Sequence, residues 1–402
     1  MTRLVLAGVG HANLEVLRRL GARPGRTAGA DERQVPEASL DLTVISPEPW
    51  HCYSGMVPGY LRGIYRFEEI AVELAPLVGR AGGSLLLGRV EGFDARRRVV
   101  EISAAAAGET AGREVPYDLV AFAIGSDAAG AAAAAARAGD AVLSCKPIGR
   151  VVELRRRLDA LAEAGQPAAT VVVVGGGAAG VEIALAIAGR LSVRSPASRV
   201  ILIEAGPAIL AGSSPRFRRR AEQVLARHGV ELRTGTGVTG VLPGDGARLL
   251  LTAGDRQGEA SEIACSLAVW VTSAVGWPFF RDAGLPLDGR GFLLIDAGLR
   301  SVADPRVFAA GDCGTLAAFP GTAKAGVYAV REGPVLFRSL RAALAGGRPP
   351  RYRPQRGFLV ILNTGDGRAL LAYKGFVSYS RWAFRLKDWI DWRFLARYGG
   401  RR

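Results

Sequence analysis

The chain has 402 residues, 49% of them hydrophobic, which is enough for two or three domains with sizeable cores. Its formal net charge is +15, but no nucleic-acid-binding motif accompanies the arginine excess, so we expect no nucleic-acid partner. Every apolar stretch is too short to span a bilayer and the first strand begins near the N-terminus, so we expect a cytoplasmic protein. No CxxC pair occurs, so neither a metal site nor a disulfide framework is expected among the four cysteines, Cys52, Cys145, Cys265 and Cys313.

The chain opens with a β-α-β pattern. Residues 4–7 predict a strand, residues 11–20 a helix and residues 40–46 a second strand, while the Gly-, Pro- and Arg-rich residues 21–39 indicate a surface loop.

A glycine turn joins the first predicted strand to its helix. A turn of this kind lets the backbone and the helix N-terminus approach a pyrophosphate. Two features weaken the assignment: Asn13 stands at the third glycine position, and Ser46 stands where an acidic residue is expected. On its own the turn fits an ordinary β-α connection equally well. The candidate nucleotide-binding residues are Gly8, Gly10, His11, Ala12, Asn13 and Ser46.

The segment after the second strand is aromatic and rich in Gly and Pro over residues 50–60, which is unusual for a simple connector. Residues 84–124 then predict several short strands and end in Ala123-Ile124-Gly125. The alanine-rich run 128–138 indicates an exposed helix or a loose loop, and residues 149–164 predict an amphipathic helix.

A second β-α-β unit follows, with strands predicted at residues 171–174 and 200–204 and a helix over residues 181–188. Its turn is complete, with Gly175, Gly177 and Gly180 on all three glycine positions and Ala179 beside the last. Glu204 ends the next strand, where a carboxylate accepts ribose hydroxyls and repels a 2′-phosphate. This pattern favours NADH over NADPH, although Arg218–Arg220 could soften the preference.

The remaining sequence contains two further predicted strands, at residues 292–296 and 306–312, and a helix over residues 321–345. The tail, residues 351–402, holds twelve Lys or Arg and three Asp, a net charge of +9.

The order of these motifs resembles the pyridine nucleotide–disulfide oxidoreductase superfamily over about residues 3–345. That order is an FAD turn, the Ala123-Ile124-Gly125 segment, an inserted NAD domain and a returning FAD segment with Gly311-Asp312. Within it, the chain looks most like the type II NADH dehydrogenase branch, and more narrowly like oxidoreductases found alone or fused ahead of selenide, water dikinase. The closer match is carried by residues 53–60, Lys146-Pro147, residues 324–331 and residues 386–391.

The resemblance implies an α/β fold with two Rossmann-like domains and the cofactors FAD and NAD(H). It implies that Asp312 contacts the flavin's ribityl chain and that Glu182 lies near the nicotinamide. It implies four regions: the first part of the FAD domain (1–148), the NAD(H) domain (149–287), the second part of the FAD domain (288–350) and a C-terminal region (351–402).

The resemblance also implies candidate catalytic residues. Lys146 and Lys324, two of only four lysines, lie in segments that the family fold brings toward the flavin, where positive charge would stabilise the reduced cofactor. Surface ion pairs are the alternative role for both. Type II NADH dehydrogenases carry two glutamines on a helix near the quinone, and residues 326–331 of this chain replace both, which argues against direct quinone reduction without excluding it. Tyr328 and Arg331 could still stack on or hydrogen-bond a quinone head.

The electron acceptor stays open at this point. A quinone or a similar small molecule is the first candidate, and a soluble selenium-linked oxidoreductase with another acceptor or a protein partner is the alternative. A dithiol relay is disfavoured because Cys52 lacks the expected partner cysteine. A sulfide:quinone reductase-like activity, with Cys145 and Cys313 converging, and a non-enzymatic nucleotide sensor have less support.

The tail suggests a membrane surface. Trp382, Leu386, Trp389 and Ile390 fall on one face of a predicted helix flanked by arginines, a pattern typical of helices that lie among lipid headgroups. The alternative is that this helix packs on its own protein or on a twin subunit, which also leaves a homodimer open. We therefore expect a cytoplasmic protein, with a peripheral position on the cytoplasmic face of the membrane as a further expectation.

Overall fold

The computed structural model describes residues 1–22, 40–103, 112–163, 168–244, 246–253 and 261–400. The predicted loop 21–39 therefore lies, from residue 23 onward, outside the described residues. The strands in chain order are β1 Thr2–Ala7, β2 Leu40–Ser46, β3 Trp50–Cys52, β4 Ala71–Glu73, β5 Ser84–Leu87, β6 Val90–Asp94, β7 Val99–Ile102, β8 Arg113–Pro116, β9 Leu119–Phe122, β10 Asp127–Ala128, β11 Val142–Ser144, β12 Thr170–Val174, β13 Arg199–Ile203, β14 Val230–Arg233, β15 Thr236–Gly244, β16 Gly246–Ala253, β17 Ser261–Cys265, β18 Leu267–Trp270, β19 Ala274–Val275, β20 Leu293–Ile295, β21 Val307–Ala309, β22 Gly314–Leu316, β23 Val360–Asn363, β24 Ala369–Tyr373 and β25 Phe376–Ser380.

The α-helices are fewer and several are short. In chain order they are α1 His11–Leu20, α2 Val57–Arg62, α3 Phe67–Ile70, α4 Leu74–Arg80, α5 Ala131–Ala138, α6 Val151–Leu161, α7 Ala178–Arg194, α8 Pro215–Arg227, α9 Gly326–Leu344 and α10 Arg381–Ala396.

The chain forms two compact units, each built from separate stretches of sequence. The first unit comprises Met1–His51, Ala71–Ser126 and Ala274–Arg356. Its central sheet is parallel, in the order β21-β9-β1-β2-β5. Strand β21 follows β1 by about 300 residues in the chain but belongs to the same sheet. The first domain is therefore completed by a distant stretch of sequence.

The core of this unit contains a cluster of aromatic rings. Phe122, at the end of β9, lies edge-to-face with Phe93 at 4.8 Å and with Phe280 at 5.1 Å between ring centroids. Such aromatic contacts stabilise the packing beyond the area they bury.

The second unit comprises Cys52–Ile70, Asp127–Ser273 and Gly357–Arg402. Its parallel sheet has the order β11-β18-β12-β13-β14, and two three-stranded antiparallel sheets, β15-β16-β17 and β23-β24-β25, accompany it. The prediction of two Rossmann-like units is confirmed, because each parallel sheet carries a strand, a glycine turn and a helix in sequence. The domain boundaries at residues 148, 287 and 350 stay a prediction.

Most predicted elements are present close to their expected positions. The alanine-rich run forms helix α5, and Ala131 and Ala134 are buried against the second unit's core rather than exposed. The aromatic segment after residue 50 holds helix α2, which packs on α7 within the second unit. The sequence has no amphipathic pattern that predicts α2, because the residues of this helix are buried on most sides.

Candidate functional site

The first glycine turn lies against the Ala123-Ile124-Gly125 segment. The Gly10 backbone N–H donates to the Ala123 carbonyl at 2.8 Å, and the Gly8 N–H donates to the Ile45 carbonyl at 2.9 Å. A Cβ atom on Gly10 would lie 2.5 Å from the Ala123 oxygen, so a side chain does not fit there. The structure thus brings together two segments that the sequence analysis assigned to the same cofactor.

Asn13, at the degenerate third position of this turn, is fully buried and closes the turn with its side chain. Its Nδ2 donates to the Gly8 carbonyl at 2.7 Å and to the Ala121 carbonyl at 2.9 Å. The start of α1 is thereby tied to the ends of β1 and β9. Ala12, the neighbouring candidate residue, is buried completely.

His11, the first residue of α1, forms a buried pair with a histidine that the sequence analysis did not single out. The His11 Nδ1 and His51 Nε2 atoms lie 3.1 Å apart. Burial lowers the pKa of His11 to about 4 and that of His51 to about 3. Both imidazoles are therefore neutral at pH 7. The two histidines are 40 residues apart in the chain, so no local sequence pattern predicted that they would form a pair.

Ser46 and Gly125 occupy the two other predicted positions near this turn. The Ser46 hydroxyl donates to the Glu48 carbonyl at 2.7 Å. Gly125 adopts a left-handed conformation, with φ of +70°, and the next residue, Ser126, donates its hydroxyl to Asp312 Oδ2 at 3.2 Å. The predicted flavin residue Asp312 is therefore positioned by the segment that follows β9.

A small open cleft lies beside Asp312 in the first unit. Its charged lining residues are Asp312, Lys324 and Glu332. Lys324 Nζ donates to the Thr315 hydroxyl at 3.0 Å and to the Gly314 carbonyl, and it lies 4.1 Å from the centroid of the Phe292 ring. Burial lowers the pKa of Lys324.

Tyr328 and Glu332 come from the same helix, α9, and both line this cleft. The Tyr328 hydroxyl donates to the Gln355 carbonyl at 3.4 Å. The Glu332 carboxylate accepts the backbone N–H of Gly311 at 2.6 Å, and burial raises its pKa to about 7. The sequence did not predict Glu332 as a site residue, because it lies within a helix where no motif marks it.

The second glycine turn is open at the start of its helix. Gly180 has no room for a side chain, since its Cβ would lie 1.8 Å from the Gly175 carbonyl oxygen. Gly177 and Ala179, in contrast, are exposed. Free backbone N–H groups at a helix N-terminus bind anionic groups. These residues therefore fit the pyrophosphate of a dinucleotide.

Glu204 lies directly behind the second turn. Its Oε2 accepts the Gly176 N–H and its Oε1 accepts the Gly206 N–H, both at 2.7 Å. The two bonds fix the carboxylate just after β13, and its role at the ribose stays a prediction. Of the arginines that could soften the preference for NADH, Arg220 lies 5.6 Å from the centroid of the Tyr379 ring.

Glu182 is held by the C-terminal part of the second unit. Its Oε1 accepts the backbone N–H of Asn363 at 2.7 Å, and burial raises its pKa to about 7 while the charge of Lys387 opposes that rise. Lys387 is itself buried and bonded to Asp391 Oδ2 at 2.7 Å, and Asp391 accepts the Tyr53 hydroxyl at 3.1 Å. The tail thus supplies a backbone donor 181 positions after Glu182, and the charged neighbours Lys387 and Asp391 lie still further along the chain.

Lys146 follows β11 in the second unit, and its backbone N–H donates to the Ser144 hydroxyl at 3.1 Å. Its catalytic role stays a prediction. Burial raises the pKa of the Cys145 thiol to about 12 and that of Cys313 to about 11, and none of the four cysteines forms a disulfide. Protonated thiols are poor nucleophiles, so these cysteines give no support to sulfide chemistry. Over the described ranges, no group of three or more His, Cys, Asp or Glu side chains is arranged to hold a metal ion.

The sequence profile described as pyridine nucleotide-disulphide oxidoreductase matches residues 3–333. The NADH dehydrogenase-like protein MT1860 of Mycobacterium tuberculosis is 30% identical over 321 residues, which cover 78% of this chain and 72% of that protein. The type II NADH:quinone oxidoreductase NdhA of the same species is 24% identical over 379 residues, covering 87% and 78%.

Solved structures share the fold. NDH2 from Plasmodium falciparum, solved with NADH, superimposes with a TM-score of 0.74 at 12% identity and covers 100% of this chain and 99% of its own. The sulfide:quinone oxidoreductase from Aquifex aeolicus also has a TM-score of 0.74, at 17% identity, with 99% and 91% covered. The narrower resemblance to oxidoreductases fused to selenide, water dikinase stays a prediction. The chain belongs to the pyridine nucleotide-disulphide oxidoreductase family, and its prediction as an enzyme that uses FAD and NAD(H) is confirmed.

Proposed function

We propose that this protein passes electrons from NADH through FAD to a quinone. The observation that carries the proposal is the cleft lined by Asp312, Lys324 and Tyr328 in a chain whose relatives include type II NADH:quinone oxidoreductases. A demethylphylloquinone reductase from Synechocystis is a further relative, 31% identical over 160 residues. FAD, when bound, accepts a hydride from the nicotinamide and transfers electrons to the acceptor.

NADH would bind at the second turn. The exposed N-terminus of α7 would hold the pyrophosphate, and Glu204 would accept the ribose hydroxyls. Because the Glu204 carboxylate is already fixed by two backbone N–H groups, it would repel a 2′-phosphate without having to reorient. Glu182 would stand near the nicotinamide.

FAD would bind at the first turn, where Gly8 and Gly10 allow close approach of the backbone. Asp312 would accept hydrogen bonds from the ribityl hydroxyls, held in place by Ser126. Lys324 would place positive charge where the reduced cofactor gains negative charge. Its three bonds and contacts, to Gly314, Thr315 and the Phe292 ring, hold the ammonium group in one position.

The acceptor is tested by steady-state oxidation of NADH with one acceptor at a time: a short-chain ubiquinone, a menaquinone analogue, selenite, sulfide-derived polysulfide and free FMN. We expect the highest kcat/KM with a quinone. Lys324→Gln should lower kcat with the quinone, whereas Lys374→Gln, in the exposed turn between β24 and β25, should leave it unchanged. A higher kcat/KM with selenite or free FMN than with any quinone would contradict the proposal.

We also propose that the C-terminal region docks on an anionic lipid surface. Helix α10 buries one face on β24 through Ala383, and leaves Trp382 and Trp389 about half exposed, at 49% and 56%. Phe376 on β25 is 55% exposed beside them, and its ring centroid lies 6.3 Å from that of Trp382. We call Phe376, Trp382, Trp389 and Ile390 the aromatic face.

Basic side chains accompany the aromatic face. Arg381, Arg385 and Arg393 are exposed on α10, and Arg393 lies 5.2 Å from the centroid of the Trp389 ring. Exposed tryptophan with flanking arginine is typical of a headgroup interface. No helix within the described residues is long and apolar enough to cross a membrane. Helix α10 therefore packs on its own protein with one face, and the aromatic face would contact the lipid surface.

Point substitutions test this docking, because deletion of α10 would also remove the buried Lys387 and Asp391. Trp382→Ser with Trp389→Ser should reduce co-sedimentation with vesicles of phosphatidylglycerol and phosphatidylcholine at least tenfold. Val193→Ser, at an exposed apolar position on α7, is the matched control. Arg385→Gln with Arg393→Gln should cost about 1 kcal/mol per charge, or about thirtyfold together. Binding of the tryptophan variants at the wild-type level would contradict the proposal.

A further inference from the structure

Glu332 is a buried carboxyl group fixed in position by its helix and by one backbone donor. It is 5% exposed, and its Oε2 accepts the Gly311 N–H, the residue immediately before Asp312. The next residue, Gly333, packs so closely on α1 that a Cβ would lie 2.7 Å from Glu15 Cβ. The helix cannot move away from α1 or turn Glu332 out of the cleft without breaking this contact.

The charges around Glu332 do not balance when all of them are ionised. The cleft holds two carboxylates, Asp312 and Glu332, and one ammonium, Lys324, so its net charge is −1. A proton on one carboxyl brings the net charge to zero. Lys324 is bonded to Gly314 and Thr315 and makes no hydrogen bond to Glu332, while Thr315 donates to Asp288 at 2.8 Å.

Among the described residues, the other titratable groups that interact with Glu332 are Asp312, Lys324 and Tyr352. Tyr352 interacts with it electrostatically, and Asp312 raises its pKa while Lys324 lowers it. On the neighbouring helix α1, Glu15 is ion-paired with Arg18 and Arg19. Burial has the largest effect on the pKa of Glu332, so this carboxyl titrates near neutrality. Any negative charge added nearby would raise the pKa further and favour the protonated form.

We propose that Glu332 is the proton-binding group of this cleft and takes up one proton from solvent whenever negative charge is added to the cofactor held beside Asp312. The inference rests on the proposed function, in which that cofactor is FAD. A hydride brings two electrons and one proton and leaves one extra negative charge. The proton bound at Glu332 compensates that charge, and it returns to solvent or to the acceptor when the electrons leave.

The test is the pH dependence of the midpoint potential of bound FAD between pH 7 and pH 8. One proton per two electrons changes the reduction equilibrium tenfold per pH unit, which is 29.6 mV. Proton uptake by Glu332 would add up to another tenfold per pH unit, and this limit is approached above its pKa of about 7, where the oxidised protein holds Glu332 deprotonated. Glu332→Gln retains an oxygen that accepts the Gly311 N–H but cannot titrate, so the added tenfold should disappear. Glu15→Gln, a carboxyl outside the cleft, is the control and should keep the wild-type slope.

Equal slopes in the wild type and in Glu332→Gln would overturn the inference. If Glu332→Gln fails to fold, infrared difference spectra of oxidised and reduced wild-type protein decide instead. A protonated-carboxyl band that appears on reduction supports the inference, and its absence overturns it. Failure of the wild-type protein to bind FAD at all would defeat the proposed function and is seen before any slope is measured.

Discussion

The two glycine turns of this protein reach similar geometries by different means. In the second turn, Gly180 has no side chain, and the Gly175 carbonyl oxygen occupies the place where its Cβ would lie. In the first turn, Asn13 fills the corresponding place and bonds to the Gly8 carbonyl. The start of the first helix is buried, whereas Gly177 and Ala179 in the second are exposed. A missing third glycine therefore does not mean a loose turn, because a side chain that bonds to the turn holds it as closed as a glycine does.

The largest effect is expected from Gly180→Ala. The new Cβ would meet the Gly175 oxygen at 1.8 Å, so the turn must shift. A shifted turn loses backbone hydrogen bonds to the pyrophosphate, each worth about 1.5–3 kcal/mol to a charged group, so the loss of two should lower NADH affinity, measured by fluorescence titration, at least about a hundredfold. FAD content should be retained, since the first turn lies in the other unit.

Gly177→Ala is the companion variant. A Cβ there meets no described atom within 4 Å, so its thermal unfolding midpoint should match the wild type. Wild-type NADH affinity in Gly180→Ala would show that the second turn is not the NADH site.

At the first turn, Asn13→Ala removes two buried hydrogen bonds, to Gly8 and Ala121. Each buried acceptor left without a donor costs about 1–3 kcal/mol, so the free energy of unfolding should fall by about 2–6 kcal/mol in urea titrations. Ser46→Ala, which removes a single bond to Glu48, should cost about 1 kcal/mol. A smaller loss for Asn13→Ala than for Ser46→Ala would refute the closing role of Asn13.

A smaller effect is expected from Glu204→Arg at the second turn. The substitution removes a carboxylate that repels a 2′-phosphate and adds a charge that attracts it, so the ratio of kcat/KM for NADH over NADPH should fall about ten- to a hundredfold. Glu204→Gln, which can still accept one backbone N–H, should give an intermediate ratio. An unchanged ratio in both variants would remove Glu204 from the ribose site.

The two units each bury one glutamate with a pKa near 7, Glu332 in the first and Glu182 in the second. A carboxyl whose pKa is raised on folding stabilises the protein below its unfolded pKa and loses that contribution as the pH rises through about 7. Between pH 5 and pH 7 the free energy of unfolding should therefore fall by up to about 1.4 kcal/mol per pH unit for each group. Glu182→Gln should reduce this fall in urea titrations. Equal slopes in wild type and variant would contradict the assignment.

The sequence predicted the elements that local patterns specify. The helix over residues 11–20 and the strand over residues 40–46 have the predicted bounds, and the order of motifs predicted the fold. Contacts between distant residues were not predictable, because periodicity and spacing do not report on them. The pairs His11 with His51 and Glu182 with Asn363 are of this kind. The tail was predicted in part. Trp382, Trp389 and Ile390 are exposed as expected, but Leu386, predicted on the same face, packs against the core, and the buried Lys387 and Asp391 were not predicted.

An anaerobic titration of the purified protein with NADH tests the central claim most directly, that one chain holds FAD and reduces it with NADH. The account predicts one FAD per chain and full loss of the flavin absorbance with about one equivalent of NADH, with NADPH less effective. A protein that binds FAD but keeps its absorbance in excess NADH, or one that takes up no FAD, would contradict it.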